Sequence, residues 1–187
     1  AGHNVALLSS TTYGFRDDLK QQVNHMTTDT APIMQQKLRG FADAGAEWVV
    51  VEASSHALAQ HRVWGLPFEI AVMTNVTHEH LDYHKTFERY REAKRRLFKI
   101  AAKYGLKFGV VYAEDPAAEL FAGTVPHSVS YGLNKGDVIA RDVVLGSDSC
   151  QFTAVAGSGT YDITIQIAGE FKIQNALAGG GVGRKPG

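Results

Sequence analysis

The run TNVTHEHLDYH, residues 74–84, sets His78, His80 and His84 beside Glu79 and Asp82 in one short polar stretch. Imidazole and carboxylate donors so close together can serve a metal ion. Upstream, Glu52 closes an apolar run and is followed by Ala53-Ser54-Ser55-His56. Downstream, Lys94 sits in TFERYREAKRRLFKIAAKY on the same helical face as Phe87, Tyr90, Leu97, Ala101 and Tyr104. An ammonium on an apolar stripe has two fates. Its stem can pack while the charge reaches the helix edge. Alternatively, desolvation disfavours the cation, and a neutral amine becomes available for pairing with Glu52 or for modification.

A carboxylate and a histidine leaving adjacent strand ends can share one ion, and carboxylate-rich ligation suits magnesium or manganese. A zinc site on His78, His80 and His84 is a second reading of the same residues. A third is that Glu52 is only a solvated residue or a helix cap. Cys150 is the only cysteine, which excludes an internal disulfide and any multi-cysteine metal site, and fits a reducing compartment. Its setting in the strand-like run SCQFTAVA reads as a core or surface residue and not a nucleophile.

These residues need strands and helices to present them. Apolar runs at Val5–Leu8, Trp48–Val51, Ile70–Met73 and Phe108–Tyr112 alternate with helical patterns, which predicts an α/β fold, a mostly parallel sheet flanked by helices. Thr30 is expected to cap a first helix that has Pro32 in its first turn, carries Ile33, Leu38 and Phe41, and ends at Gly45. A helix over 86–104 joins the third and fourth runs. A short helix near 116–121 leads to a strand near 128–131. Beyond Gly136, Val138–Leu145, Cys150–Ala156 and Tyr161–Ile167 are separated by Gly-Ser-Asp turns and predict a small antiparallel meander near the C-terminus. A helix is expected from Gly169 to Ala178, followed by a Gly-rich tail over 179–187. That tail lacks the spacing of a phosphate loop. Ligands of open parallel sheets gather at the carboxyl ends of the strands, where Glu52 and Thr74-Asn75 fall.

The 187 residues are 44% hydrophobic and 20% charged, with a formal net charge of zero. That is enough apolar material for one ordinary core. The basic residues are dispersed apart from Lys94-Arg95-Arg96, so no nucleic-acid partner is expected. No run of eighteen apolar residues occurs and no signal-peptide pattern opens the chain, so no membrane partner is expected either.

Glu52-Ala53-Ser54-Ser55-His56, Gln60-His61-Arg62, TNVTHEHLDYH and EAKRRLF, in this order and spacing, resemble the Mur ligase family. The form Glu79-His80-Leu81-Asp82-Tyr83-His84 looks most like its MurE type, the UDP-N-acetylmuramoyl-dipeptide:amino-acid ligases of peptidoglycan synthesis. The resemblance covers about residues 7–178. It implies that residues 1–178 form a Mur ligase central ATPase domain, with 137–168 as its antiparallel subregion, in a bacterial cytoplasmic protein. It implies ATP and Mg2+ as cofactors, with UDP-muramoyl-peptide and an amino acid as substrates. A substrate carboxylate would be phosphorylated to an acyl phosphate and attacked by the amine. Residue by residue, Glu52 and His80 match magnesium ligands, and Lys94 matches a lysine carried as a carbamate; the three form the expected catalytic set. Thr27, Thr28, Ser54, Gln60 and Arg62 match substrate-binding positions, and Asn75 and Asn175 match the nucleotide side.

The chain departs from the pattern in places. Met26 stands where an asparagine commonly precedes the two threonines, and Lys172 replaces an asparagine near the base. The family's P-loop would precede Val5, and its N- and C-terminal domains would pack on this one. The expectation is therefore a central-domain fragment, inactive alone because the γ-phosphoryl group is not positioned. Two alternatives accompany it: a folylpolyglutamate synthase-like ligase, and a non-catalytic binding domain that lost its P-loop.

Overall fold

A computed structural model describes residues 2–22, 26–157 and 159–185. The chain divides into two compact units, Ala1–Leu66 with His80–Lys94, and Pro67–Glu79 with Arg95–Gly187. Residues 1, 23–25, 158, 186 and 187 of the expected domain ranges lie outside the described residues.

In the first unit, β1 (Val5–Leu8), β2 (Thr12–Phe15) and β3 (Asp18–Gln21) lead to α1 (Ala31–Asp43), β4 (Trp48–Val51) and α2 (Ser55–Ala59). The sheet order is β3-β2-β1-β4. β1 runs parallel to β4, with Leu7 opposite Val50, and antiparallel to β2, with Leu7 opposite Gly14. Sequence reading expected β1 and β4 but missed the β2–β3 hairpin, because Asp-Leu-Lys-Gln is exposed at all four positions and buries no alternating face. At Gly14, φ is 153° and a Cβ would run into the Asp18 carbonyl, so only glycine lets the hairpin close this tightly.

Thr30 is the N-cap of α1 by backbone, but its side chain makes no capping bond; its carbonyl takes the Met34 N–H at 2.9 Å. Pro32 falls in the first turn, where its missing N–H costs nothing. Gly45, at φ 90°, follows the helix as expected. The buried residue is Met34, while Ile33 is 38% exposed: Met34, not Ile33, shares the inward face with Leu38. Lys37 bridges the buried Asp29 at 2.7 Å and lies over the Tyr13 ring.

α3 (Leu81–His84) also belongs to the first unit, and α4 (Phe87–Ala101) runs from it into the second. Tyr90, Ala93, Phe98 and Ala101 are the buried positions of α4. Tyr104 lies beyond its end and is 42% exposed, and Lys94, one turn after Tyr90 and one turn before Phe98 on the same face, is half-buried.

The second unit holds β5 (Ile70–Met73), β6 (Phe108–Tyr112), α5 (Ala118–Ala122), β7 (His127–Gly132), β8 (Val138–Leu145), β9 (Cys150–Ala156), β10 (Gly159–Ile165) and α6 (Glu170–Val182). Its sheet order is β10-β9-β8-β7-β6-β5. β5, β6, β7 and β8 pair in parallel and β8, β9 and β10 antiparallel, which is the expected meander. Phe108, Val110, Tyr131, Val138, Cys150 and Phe152 form its core with Ile173 and Leu177 of α6. Cys150 is fully buried, its thiol donating to the Ile167 carbonyl at 3.3 Å, which is a packing role.

The expected tail is corrected in part. Gly179, Gly180 and Gly181 continue α6 to Val182. Glycine's weak helix propensity is overridden by packing, because Gly181 brings the helix so close that a Cβ would lie 2.7 Å from Val110 Cγ1.

Candidate functional site

The first unit gathers most of the residues singled out above. β4 ends by handing the Glu52 N–H to the Leu8 carbonyl at 2.8 Å, which continues the parallel ladder one step past the strand. The exposed Glu52 carboxylate turns to the loop after β1, its Oε2 taking the Ser10 N–H at 2.7 Å. The next turn is fixed by Thr28, which is 2% exposed. Its hydroxyl donates to the Glu52 carbonyl at 3.0 Å and accepts the Ser54 N–H at 3.3 Å. Ser54 then caps α2, its Oγ accepting the Ala57 N–H at 3.2 Å.

Arg62 extends this network. Its Nη1 donates to the Thr28 carbonyl at 3.0 Å and its Nε to Gln60 Oε1 at 2.9 Å. The Gln60 amide donates to the Tyr83 hydroxyl at 3.2 Å. Thr28, Ser54, Gln60 and Arg62 are therefore one connected set around Glu52. Thr27 adjoins it in the chain and is half-buried.

A second cluster centres on Tyr90, which is fully buried. The His80 ring lies 6.2 Å from it, the His84 ring 5.5 Å, and the Lys94 ammonium 5.0 Å from its centroid. His56 joins them, 4.8 Å from the His80 ring and 4.3 Å from Tyr83. The lysine and the histidine run do meet, through an aromatic intermediary that periodicity had marked only as core. Burial first, then the positive charge that His80 can carry, pushes the His56 pKa below the ordinary histidine value, with Asp82 opposing. Burial followed by His56 and His80 does the same to His84. Both rings favour the neutral form.

Among the described residues no three His, Cys, Asp or Glu side chains assemble into a metal shell. His84 Nε2 is engaged with the Ser55 hydroxyl at 3.0 Å. Glu52 and His80 remain as exposed donors, one hard oxygen and one imidazole. Such a sparse set suits an ion that keeps most of its waters, as magnesium does, and not a closed protein cage. Lys94 adds an oxygen donor only as a carbamate.

Asn75 and Asn175 lie in the second unit, after β5 and on α6. Asp115 anchors the segment beside Asn75 by accepting the Val76 N–H at 2.7 Å. Asn175 is exposed, and the neighbouring Gln174 donates to the Tyr112 hydroxyl at 3.2 Å. Tyr112 in turn donates to Glu114 at 2.5 Å. Sequence reading missed Ser10, Ser55, Tyr112 and Glu114. Ser10 and Ser55 act from a loop and a helix start, where no periodicity flags them.

Residues 4–183 match the Mur ligase middle domain. A UDP-N-acetylmuramyl-tripeptide synthetase of Roseiflexus sp. is 38% identical over 83% of this chain and 33% of its own length. A UDP-N-acetylmuramoyl-L-alanyl-D-glutamate–2,6-diaminopimelate ligase of Chromobacterium violaceum is 38% identical over 95% of the chain and 36% of its own. A solved structure of a ligase of the latter name superposes with a TM-score of 0.81 at 30% identity, covering 94% of this chain and 36% of that one. The chain thus spans about a third of the length of the relatives it matches. With that match running through both units and every motif quoted above, the chain belongs to the Mur ligase family.

Proposed function

We propose that this chain serves as the central domain of a MurE-type ligase, joining an amino acid to UDP-N-acetylmuramoyl-L-Ala-D-Glu at the expense of ATP. In that reaction the substrate carboxylate takes the γ-phosphoryl group as ADP leaves. The amino group then attacks the acyl phosphate, releasing phosphate and a proton as the amide forms. Thr27, Thr28, Ser54, Gln60 and Arg62 hold the muramoyl-peptide, Arg62 by a forked guanidinium suited to a carboxylate or phosphate. Glu52 and His80 hold magnesium, with Lys94 as a carbamate beside them, and Asn75 and Asn175 face the nucleotide. Magnesium supplies stabilisation of the charge that shifts among phosphoryl oxygens. Residues 1–178 form the domain in this reading, with 137–168 as its antiparallel part. A cytoplasmic setting follows from nucleotide-borne substrates, and no helix among the described residues is long and apolar enough to cross a membrane.

The observation that carries this reading is Thr28. One buried hydroxyl bonds both the Glu52 carbonyl and the Ser54 amide, so a residue assigned to metal and two assigned to muramoyl-peptide share one hydrogen-bonded turn. Prepositioning of that kind is what a phosphoryl acceptor and its ion need. The named relatives act on UDP-muramoyl-peptides, which favours that acceptor over a folate. Calorimetric titration tests the choice. UDP-muramoyl-dipeptide should release or absorb heat on binding and, followed in parallel by NMR, shift the Arg62 side-chain resonances, and a folate should do neither; binding of the folate alone would overturn the proposal.

A further inference from the structure

α3 is a single turn, and both residues that flank it hold unusual backbone. His80, at its N-cap, has φ 56° and ψ 30°, and Lys85, at its C-cap, has φ 69° and ψ −39°. A side chain with a Cβ is disfavoured at positive φ. One helical turn forms too few hydrogen bonds to impose that conformation on its own ends. Contacts from outside α3 must over-determine it.

Those contacts converge on His84. It is the last residue of α3 and 6% exposed, and its Nε2 lies 3.0 Å from the hydroxyl of Ser55, the first residue of α2, which is 3% exposed. Breaking a hydrogen bond between two side chains cut off from water leaves both with no solvent to turn to. The His84 ring also stands edge-on to Tyr90 at 5.5 Å and to Tyr83 at 4.9 Å. Its backbone N–H donates to the His80 carbonyl at 2.9 Å. Fixing His84 therefore fixes the peptide that follows His80, and with it the left-handed turn that aims the His80 ring toward His56 and Tyr90.

We infer that Ser55 and His84 are positioning residues. Their buried hydrogen bond holds His80 in its left-handed conformation and so presents its imidazole to the magnesium site. Neither side chain touches reacting atoms. The inference rests on the proposed function for what His80 binds, but the positioning itself is a statement about backbone.

The test uses the full chain with Ser55→Ala, His84→Gln and His84→Ala. Alanine is well tolerated at a first helical position, so Ser55→Ala removes the hydroxyl and little else. Two readouts are followed: the His80 amide–Hα coupling with its Cα and Cβ shifts, which report φ, and the broadening of His80 ring signals by Mn2+. In Ser55→Ala the His80 coupling and shifts should leave the left-handed range, and Mn2+ affinity at His80 should fall about tenfold. His84→Gln keeps an amide where Nε2 lies and should retain more of both signals than His84→Ala. A Ser55→Ala chain that melts earlier yet leaves the His80 coupling and shifts unchanged would overturn the inference, as would His84→Gln no better than His84→Ala. If wild-type His80 is not broadened by Mn2+ while its coupling still responds to Ser55→Ala, the metal reading fails and the positioning stands.

Discussion

Lys94 holds its ammonium 5.0 Å from the centre of the Tyr90 ring, one turn back along α4. A cation over a ring face is stabilised by about 0.5–1 kcal/mol at an exposed site and more when desolvated. A carbamate in the same place would meet the negative face of that ring. Carboxylation of Lys94, as proposed, would therefore have to carry the side chain off Tyr90, where the unmodified ammonium rests. Tyr90→Phe keeps the ring face and should leave Lys94 where it is. Tyr90→Leu, at a fully buried site, should lower stability by about 2 kcal/mol, read from urea unfolding.

Arg62 ties the Thr28 carbonyl to Gln60 through separate guanidinium nitrogens. Lysine cannot reproduce that fork. Arg62→Lys should cost about 1 kcal/mol of stability, and the affinity for UDP-muramoyl-dipeptide should fall about tenfold, a loss of one bidentate contact. Calorimetry on the two chains gives both figures. Equal affinities would remove Arg62 from the substrate site.

The glycine run of α6 makes opposite predictions two residues apart. A Cβ at Gly181 would lie 2.7 Å from Val110, so Gly181→Ala should destabilise by about 1–3 kcal/mol through overpacking. Gly179 is exposed with nothing within 4 Å of its Cβ position, so Gly179→Ala should stabilise by about 0.5–1 kcal/mol through helix propensity. Paired thermal melts check the sign of each.

Asp137 accepts both the N–H and the hydroxyl of Ser130, at 2.8 and 2.7 Å, and these bonds hold its carboxyl below the usual value of 3.8. A depressed carboxylate contributes its full stabilisation above the unfolded value. As pH falls toward the folded value the unfolded chain takes up the proton first, and the contribution is lost. Urea midpoints measured from about pH 5.5 to about pH 3 should therefore fall, with a shallower slope in Asp137→Asn. Parallel slopes would remove Asp137 from the account.

Much of this was legible in the chain. β4 with Glu52 at its end, β5, β6 and the meander β8–β10 followed from apolar runs between turn residues. α4 followed from its period, with Lys94 half-buried on the face that Tyr90, Phe98 and Ala101 bury. The β2–β3 hairpin was not legible, since β3 buries nothing. Nor was the left-handed turn at His80: it is imposed by a serine and a histidine far apart in sequence, and histidine itself gives no local sign of it. The C-terminal end of α6 was misplaced because propensity is local, while the contact between Gly181 and Val110 is tertiary.

The proposed magnesium site stands or falls on the chemical state of Lys94. The chain, labelled with 15N at lysine, is equilibrated with 13C-bicarbonate, Mg2+ and nucleotide, and one-bond 13C–15N coupling is sought by NMR. A single lysine carbamate should appear, disappear in Lys94→Arg and weaken in Glu52→Gln and His80→Ala. No carbamate under these conditions, or one that survives Lys94→Arg, would contradict the proposed site.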